Sequence, residues 1–402
     1  MRNKNSLNLW EKAKSIIPGG NGLLSKSPDR YASDIWPTYF YSSHGVKVTD
    51  LDDNTYIDMA QMGIGSAILG YSHPELTEAI HDTASKGVNC TLNAPEEVEL
   101  ADKLVQLHKW ADMAKFARTG GEANAIAIRI ARAYSKRDKV AICGYHGWHD
   151  WYLSMNIGDK DRLGSHLMTG LEPVGVPSSL KDTVFSFNYN NLEELEKILS
   201  ENDIGVIKME VIRSKPPKDN FLGKIRKICD EKNIVLIFDE CTTGFRETFG
   251  GIHKKYGVDP DIAIFGKALG NGYAITAILG KEHIMQASQD TFISSTFWTE
   301  RIGPTAALKT LEIMEKEKSW DDITNKGKKI INSWDKLAQK HELKIIFNNI
   351  PSLASFTINS KDFLKYKTYI TQEMMKNGYI ASNTIYSCIS HDEKITSNYF
   401  EI

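Results

Sequence analysis

The hydrophobic pattern in the middle of the chain predicts short buried strands that alternate with helices. Apolar runs at residues 140–143, 206–209, 234–238 and 262–265 are separated by helical patterns such as those of residues 192–199 and 222–231. Continuous apolar strands with helical connections are typical of a mostly parallel sheet that is covered on both faces. Residues 274–279 predict a further strand, for which an antiparallel direction is one option.

The two ends of the chain show different patterns. An amphipathic helix and a hairpin are predicted before residue 57, and the chain is helical from about residue 304 to 341. A strand–helix–strand region follows, and residues 390–402 predict the start of a short helix capped by Ser390. We therefore expect an N-terminal segment (1–50), a large domain (51–303) and a small C-terminal domain (304–402) with a short last helix.

Composition and charge exclude several classes of protein. The formal net charge of −2 indicates no nucleic-acid surface, and no apolar run approaches the roughly 18 residues that span a bilayer. The five cysteines are odd in number and no pair has C-x-x-C spacing, so we expect neither a disulfide framework nor a zinc site. Because the N-terminus lacks an apolar signal core, a reducing cytoplasm is the expected location.

A glycine-rich segment opens the helix that follows residue 117. Thr119, Gly120 and Gly121 allow backbone N–H groups to approach an anion at the positive end of that helix, which suits a phosphate group. Short glycine motifs are weak signals, and an ordinary helix start is the favoured explanation when the segment is taken alone.

An aromatic loop follows the strand that ends at Cys143. Tyr145 and its neighbours could cover the face of a planar cofactor. His146 and His149 lie three residues apart, as metal ligands can, but no third ligand follows at a helical spacing, so no metal is expected.

Two polar residues follow the ends of apolar strands closely. Asp239 follows the strand of residues 234–238 and could pair with a cationic ring nitrogen, although a helix cap or an ion pair with Arg246 is the alternative. Lys267 follows residues 262–265 in a segment that contains Gly266 and Gly270. A desolvated lysine there becomes a nucleophilic amine, and a solvated loop lysine is the alternative.

Together these four features indicate a pyridoxal-phosphate (PLP) site at the carboxyl ends of the strands. The lysine would form an imine with the cofactor aldehyde and then carry protons, while the aspartate would keep the pyridine nitrogen protonated. No G-x-G-x-x-G follows the first strand of a βαβ unit, which excludes a Rossmann dehydrogenase.

The chain resembles the class III PLP-dependent aminotransferases of fold type I, and among them the glutamate-1-semialdehyde 2,1-aminomutase group. Besides the four features, the resemblance is carried by residues 13–20 (AKSIIPGG), 56–58 (YID), 69–74 (LGYSHP) and 295–308 (STFWTERIGPTAAL). It implies an α/β fold with a large domain, built on a mostly parallel central sheet, and a smaller α+β domain formed by both ends of the chain.

The resemblance also implies roles for individual residues. Lys267 matches the Schiff-base lysine and Asp239 the partner of the pyridine nitrogen. Thr296 matches a threonine that reaches the phosphate of the neighbouring subunit, which implies a homodimer with shared active sites. The remaining matches are to the phosphate-binding segment (Thr119, Gly120, Gly121), the aromatic on the ring (Tyr145), the residue at its opposite face (Cys241) and a glutamate near its phenolic edge (Glu210).

Departures from the aminomutase pattern concern the substrate. Lys26 stands where the aminomutases carry an arginine for the substrate carboxylate, and a lysine cannot form the same two-pronged contact. With Lys26, Trp36 and Tyr145 as candidate substrate residues, we expect an aminotransferase acting on a small-molecule amino donor and a carbonyl acceptor, with a keto-sugar as one hypothesis. Two alternatives stay open: the aminomutase itself, with Arg30 in place of the missing arginine, and a non-catalytic scaffold.

Overall fold

The computed structural model of the chain describes residues 3–402, which form fourteen strands and thirteen α-helices in that range. The strands are β1 (Phe40–His44), β2 (Lys47–Asp50), β3 (Thr55–Met59), β4 (Met113–Ala117), β5 (Lys139–Cys143), β6 (Val184–Ser186), β7 (Ile204–Glu210), β8 (Val235–Glu240), β9 (Ile262–Phe265), β10 (Thr276–Gly280), β11 (Ile345–Phe347), β12 (Leu353–Ile358), β13 (Tyr379–Ala381) and β14 (Thr384–Tyr386). The helices are α1 (Lys4–Ile16), α2 (Met62–Gly65), α3 (Pro74–Ser85), α4 (Pro95–Leu107), α5 (Gly120–Ser135), α6 (Asp150–Leu153), α7 (Leu192–Glu201), α8 (Phe221–Lys232), α9 (Glu282–Met285), α10 (Ile302–Glu317), α11 (Ser319–Lys340), α12 (Phe363–Lys376) and α13 (Glu393–Phe400).

The chain divides into two compact units. The central unit is Ala79–Ile313, and the terminal unit combines the chain up to Glu78 with Met314–Ile402. The three-part division predicted from the sequence, with boundaries after residues 50 and 303, stays a prediction. Within residues 3–402, none of the helices is both long and apolar enough to cross a membrane.

The central unit contains a seven-stranded sheet in the order β4-β10-β9-β8-β7-β5-β6. Four neighbouring pairs are parallel, and β10 is antiparallel to both of its neighbours, β4 and β9. This confirms the predicted α/β fold with a mostly parallel sheet, and it settles the direction of the strand after Lys267. Every residue of β7, β8 and β9 is buried, as expected for strands covered on both faces.

The terminal unit contains two small sheets, β1-β2-β3-β13 and β11-β12-β14, with a core that includes Trp334 and Phe356. The predicted hairpin is present as β2 and β3, with Val48 opposite Tyr56. The prediction of Ser390 as a helix cap is wrong. Helix α13 is capped by Asp392, whose side chain accepts the N–H of Ile395 at 2.7 Å.

Candidate active site

The carboxyl ends of the parallel strands bring most of the predicted site residues together. In the register of the sheet, Glu210 at the end of β7 pairs with Asp239 near the end of β8, and Asp239 pairs with Ile264 of β9. Tyr145 follows β5, and its backbone N–H donates to Glu210 Oε2 at 3.0 Å. This edge of the sheet is where open α/β sheets bind ligands.

Asp239 is a buried carboxylate that the structure keeps ionised. Its Oδ2 lies 2.9 Å from His146 Nδ1 and 3.8 Å from Lys208 Nζ, while Oδ1 accepts the backbone N–H of Cys241 at 3.1 Å. Burial alone would raise the pKa of Asp239, but the charge of Lys208 and the hydrogen bond from His146 lower it well below its usual value. A stable negative charge therefore lies at the end of β8.

His146 acts here as a neutral donor. Burial lowers its pKa to about 4, against the opposing effect of Asp239. At neutral pH the imidazole therefore carries one proton, and its contact with the ionised Asp239 requires that proton on Nδ1. The sequence analysis considered His146 only as a metal ligand. Within residues 3–402 the structure contains no cluster of three or more histidine, cysteine or acidic side chains that could hold a metal ion.

Glu240, the next residue, has a different role because successive side chains of a strand point to opposite faces. It is fully buried and accepts the backbone N–H groups of Ile252 and His253, and its Oε1 lies 2.6 Å from His253 Nδ1. Glu240 therefore holds a neighbouring loop, and Asp239 is the carboxylate that faces the site.

Lys267 begins a short turn that follows β9 after Gly266, and it has a φ of 41°, a strained value for a residue with a side chain. Its Nζ donates to Thr242 Oγ1 at 2.9 Å. Solvent reaches the side chain, although protein atoms surround it closely. This crowding, together with the nearby Arg246 guanidinium, lowers the pKa of Lys267 and favours the uncharged amine.

The predicted phosphate segment forms the start of α5. Thr119 is the N-cap residue and makes a capping box with Glu122, whose carboxylate accepts the Thr119 N–H at 2.8 Å. Gly147 has a φ of 100°, and a Cβ atom on it would lie 3.2 Å from Gly121 Cα. The loop after β5 therefore approaches the start of this sixteen-residue helix backbone to backbone, and the positive end of the helix dipole lies at this edge of the sheet.

Cys241 and Glu210 complete the cluster. Cβ atoms built on Gly120 and Gly266 would lie 3.5 Å and 3.4 Å from Cys241 Sγ, so this thiol lies between the start of α5 and the end of β9. Burial raises the pKa of Cys241 well above its usual value, so the thiol stays protonated. Burial also raises the pKa of Glu210 to about 7, which leaves its carboxyl group partly protonated near neutral pH.

Thr296, Lys26 and Trp36 are the remaining predicted residues. Thr296 belongs to the central unit but lines a separate, hydroxyl-rich pocket with Asn89, Thr91 and Ser295. Lys26 and Trp36 belong to the terminal unit, where Lys26 is exposed and Trp36 stacks on the Tyr31 ring at a centroid distance of 3.9 Å.

Comparisons with known proteins identify the family. A family model described as aminotransferase class III matches residues 32–384. The chain belongs to the class III aminotransferases. It is 33% identical to a 3-aminobutyryl-CoA aminotransferase of Cloacimonas acidaminovorans, over 97% of this chain and 93% of that protein. It is 31% identical to a glutamate-1-semialdehyde 2,1-aminomutase of Prosthecochloris aestuarii, over 93% and 88% of the two chains.

Solved structures agree on the fold of this class III aminotransferase. A transaminase with PLP bound superposes with a TM-score of 0.88 at 24% identity, covering 100% of this chain and 96% of the other. The predicted fold type I architecture is therefore confirmed. Class III aminotransferases use PLP as cofactor and act on a small-molecule amino donor and acceptor.

The residues of the central unit fit this cofactor chemically. Asp239 supplies a permanent negative charge for a cationic ring nitrogen, Lys267 supplies an amine of lowered pKa for an aldehyde, and the start of α5 supplies N–H groups for a phosphate. Sequence reasoning missed Lys208 as a neighbour of Asp239. The available signal was a lysine inside the apolar run of residues 206–209, since lysines are almost never fully buried without a partner.

Proposed function

We propose that this class III aminotransferase moves an amino group from one small molecule to the carbonyl carbon of a second, with Lys267 and Asp239 as its catalytic residues. The observation that carries the proposal is the presence of a carboxylate and an amine at the ends of two adjacent strands. Asp239 at the end of β8 is buried and ionised, and Lys267 after β9 has a lowered pKa. PLP, when bound, withdraws electrons from the substrate carbon that loses its proton.

In this proposal Lys267 bonds the cofactor aldehyde and, once released by the amino donor, takes up and returns the proton of the substrate carbon. An amine with a lowered pKa suits both steps, because it is a nucleophile when neutral and a proton carrier near the working pH. The Thr242 hydroxyl, which accepts a hydrogen bond from Nζ at 2.9 Å, orients the amine.

The other residues of the cluster bind and orient the cofactor. Tyr145 and Cys241 are proposed to contact its two faces, and Glu210 its phenolic edge. The segment Thr119, Gly120 and Gly121 is proposed to bind its phosphate, with the backbone N–H groups of the two glycines as donors, because the Thr119 N–H already donates to Glu122.

A homodimer with shared sites is the second part of the proposal. Thr296 lines a pocket of hydroxyl and amide side chains on the central unit. Large apolar side chains near it are strongly exposed: Leu92 (78%), Phe292 (83%) and Phe297 (69%). An exposed apolar patch of this kind is typical of a protein interface. We propose that a second copy of the chain covers it and that Thr296 contacts the partner's cofactor phosphate.

This arrangement predicts complementation between two defective variants. Thr296→Val should weaken PLP binding about tenfold, because one hydrogen bond to a charged group is lost. When Thr296→Val and Lys267→Ala chains are co-expressed and mixed dimers are isolated, one site carries both lesions and the other carries neither. At limiting PLP the mixed dimers should therefore regain about half of the wild-type activity.

Thr299→Val is the matched control, since Thr299 lines the same pocket and its hydroxyl donates only to the Thr296 carbonyl among the described contacts. Its PLP affinity should change little. Mixed dimers with no more activity than the average of the two parent dimers would show that each site is built within one chain.

The acceptor is proposed to be separate from the donor, with a keto-sugar as the hypothesis from the sequence. Lys26 supports this, since it lacks the bidentate geometry with which an arginine holds a carboxylate. The similarity to a 3-aminobutyryl-CoA aminotransferase favours a second candidate, a 3-oxoacyl thioester. The test is a half-reaction screen in which the cofactor absorbance reports amino donors, followed by nucleotide-linked keto-sugars and 3-oxoacyl thioesters as acceptors. A protein that binds PLP but responds to no donor would favour the non-catalytic scaffold.

Aminomutase activity is the remaining alternative, and we predict that it is weak. Purified protein should convert glutamate-1-semialdehyde to 5-aminolevulinate at least about 100-fold less efficiently than it transfers amino groups to its preferred acceptor, because loss of one charge-assisted contact costs roughly 3 kcal/mol. Lys26→Arg should raise the aminomutase rate. Rapid conversion by the unmodified chain at micromolar substrate would instead favour the alternative in which Arg30 binds the carboxylate.

A reducing cytoplasm is the proposed location. All five cysteines have free thiols, which agrees with such a compartment.

A further inference from the structure

Lys208 is a fully buried lysine in the middle of the central sheet. It lies on β7, with Ile142 of β5 opposite it on one side and Ile237 of β8 on the other. Its Nζ has no hydrogen-bond partner among residues 3–402. A lysine in such surroundings is costly unless a charge compensates it, so its presence requires an explanation.

The compensating charge is the carboxylate of Asp239. Lys208 Nζ lies 3.8 Å from Asp239 Oδ2, too far for a hydrogen bond but close enough for a strong charge interaction in a buried site. The same oxygen lies 2.9 Å from His146 Nδ1, and Oδ1 accepts the N–H of Cys241. The hydrogen bonds therefore set the orientation of the carboxylate, and Lys208 contributes charge.

We propose that Lys208 acts through Asp239 rather than on the substrate or cofactor. It is an internal counter-ion that keeps Asp239 ionised before and during cofactor binding. The proposal rests on the proposed function in one respect, the role of Asp239 as partner of the cofactor ring nitrogen. In the register of the sheet, Lys208 is two residues before Glu210, the residue opposite Asp239, and so lies deeper in the sheet than the edge where ligands bind. A cation behind the carboxylate makes it a weaker base, which leaves a shared proton on the ring nitrogen.

The influences on the pKa values of Asp239 and Lys208 agree with this geometry. Burial would raise the pKa of Asp239, and Lys208 is the strongest of the influences that lower it. Burial lowers the pKa of Lys208, and Asp239 is the strongest influence in the opposite direction. The other titratable groups around the pair are Tyr145, His146, Glu210, Cys241 and Lys267.

The test is a double-mutant cycle on the cofactor-free, full-length chain. Thermal unfolding is measured between about pH 5 and pH 9 for the wild type, Lys208→Met, Asp239→Asn and the double variant. Lys139→Met is the matched control, because Lys139 lies on the neighbouring strand β5 and bonds Asn202 at 2.8 Å, away from the carboxylate.

The sign of each pH dependence follows from the unpaired charge. In Lys208→Met, Asp239 is buried without its cation, so its folded pKa rises above the unfolded value and stability is lost as the pH rises. The midpoint should fall by about 5 °C relative to the wild type at pH 8 and by less at pH 5. In Asp239→Asn, Lys208 is buried without its anion, so stability should increase with pH. In Lys208→Met, a protonated His146 would also compensate the charge of Asp239. Protonation of His146 therefore raises the stability at low pH, as protonation of Asp239 does.

The double variant should recover most of the loss and depend little on pH, because neither unpaired charge remains. A midpoint deficit of Lys208→Met that is independent of pH, or that adds to that of Asp239→Asn, would overturn the proposal. If Lys208→Met does not fold, recovery of a folded double variant supports the charge role, and failure of both variants assigns Lys208 to packing. Because no cofactor is present, this result is independent of whether Asp239 acts in catalysis.

Discussion

Lys267→Ala is expected to abolish amino transfer, with kcat at least about 10,000-fold lower than in the unmodified enzyme. Alanine can neither bond the cofactor aldehyde nor move a proton, and positioned proton transfer alone contributes roughly 100- to 10,000-fold. Steady-state transfer from the best donor of the half-reaction screen measures the loss. The absorbance of the bound cofactor provides a second measurement, because it should lose the feature that depends on the lysine.

Lys227→Ala is the control for this variant. Lys227 lies on the exposed face of α8, where its only described ion pair is with Glu231 at 3.7 Å. Its kcat should stay within about twofold of the unmodified enzyme, since a surface ion pair contributes little. Covalent attachment of the cofactor to a lysine other than Lys267 would contradict the assignment directly.

The local part of the site could be predicted because strand ends leave a local pattern. The run of residues 262–265 coincides with β9, and Lys267 and Asp239 were identified because a polar residue follows an apolar strand. The predicted strand 206–209 lies within β7. Strand β4, by contrast, was not predicted, because Lys115 interrupts a five-residue segment and leaves too short an apolar run.

Contacts across the sheet could not be predicted in the same way. The approach of Lys208 to Asp239 depends on the register between β7 and β8, and the contact of His146 with Asp239 depends on the loop after β5. Strands β7 and β8 are buried on both faces, so their apolar runs show no alternation that would specify the register between them, and the conformation of a loop leaves no hydrophobic pattern. The direction of β10 was open for the same reason and is fixed by its pairing with β4 and β9.

The predicted phosphate segment has a structural role that the sequence analysis did not assign to its first residue. The sequence analysis weighed phosphate binding against an ordinary helix start for this segment but did not identify the cap, and the structure shows the Thr119 hydroxyl in a capping box with Glu122. The side chain already stabilises the start of α5. If phosphate binds here as proposed, backbone N–H groups are its principal donors.

Asp239→Asn is expected to lower kcat about 100-fold while the protein remains folded. Asparagine fits the same space but carries no charge, so a charge-assisted hydrogen bond worth roughly 3 kcal/mol to a cationic ring nitrogen is lost in the transition state. The same change leaves Lys208 without its anion, so kcat is measured at saturating PLP and at a temperature well below the unfolding midpoint.

Glu240→Gln separates the loss of this particular charge from the loss of any buried carboxylate at the end of β8. Glu240 is also buried and is adjacent in sequence, but it faces the other side of the sheet and binds the N–H groups of Ile252 and His253. Its replacement should reduce stability and leave kcat within about threefold. Similar values of kcat for Asp239→Asn and Glu240→Gln would contradict the assignment of Asp239, because the two variants differ mainly in which face of the sheet loses its carboxyl group.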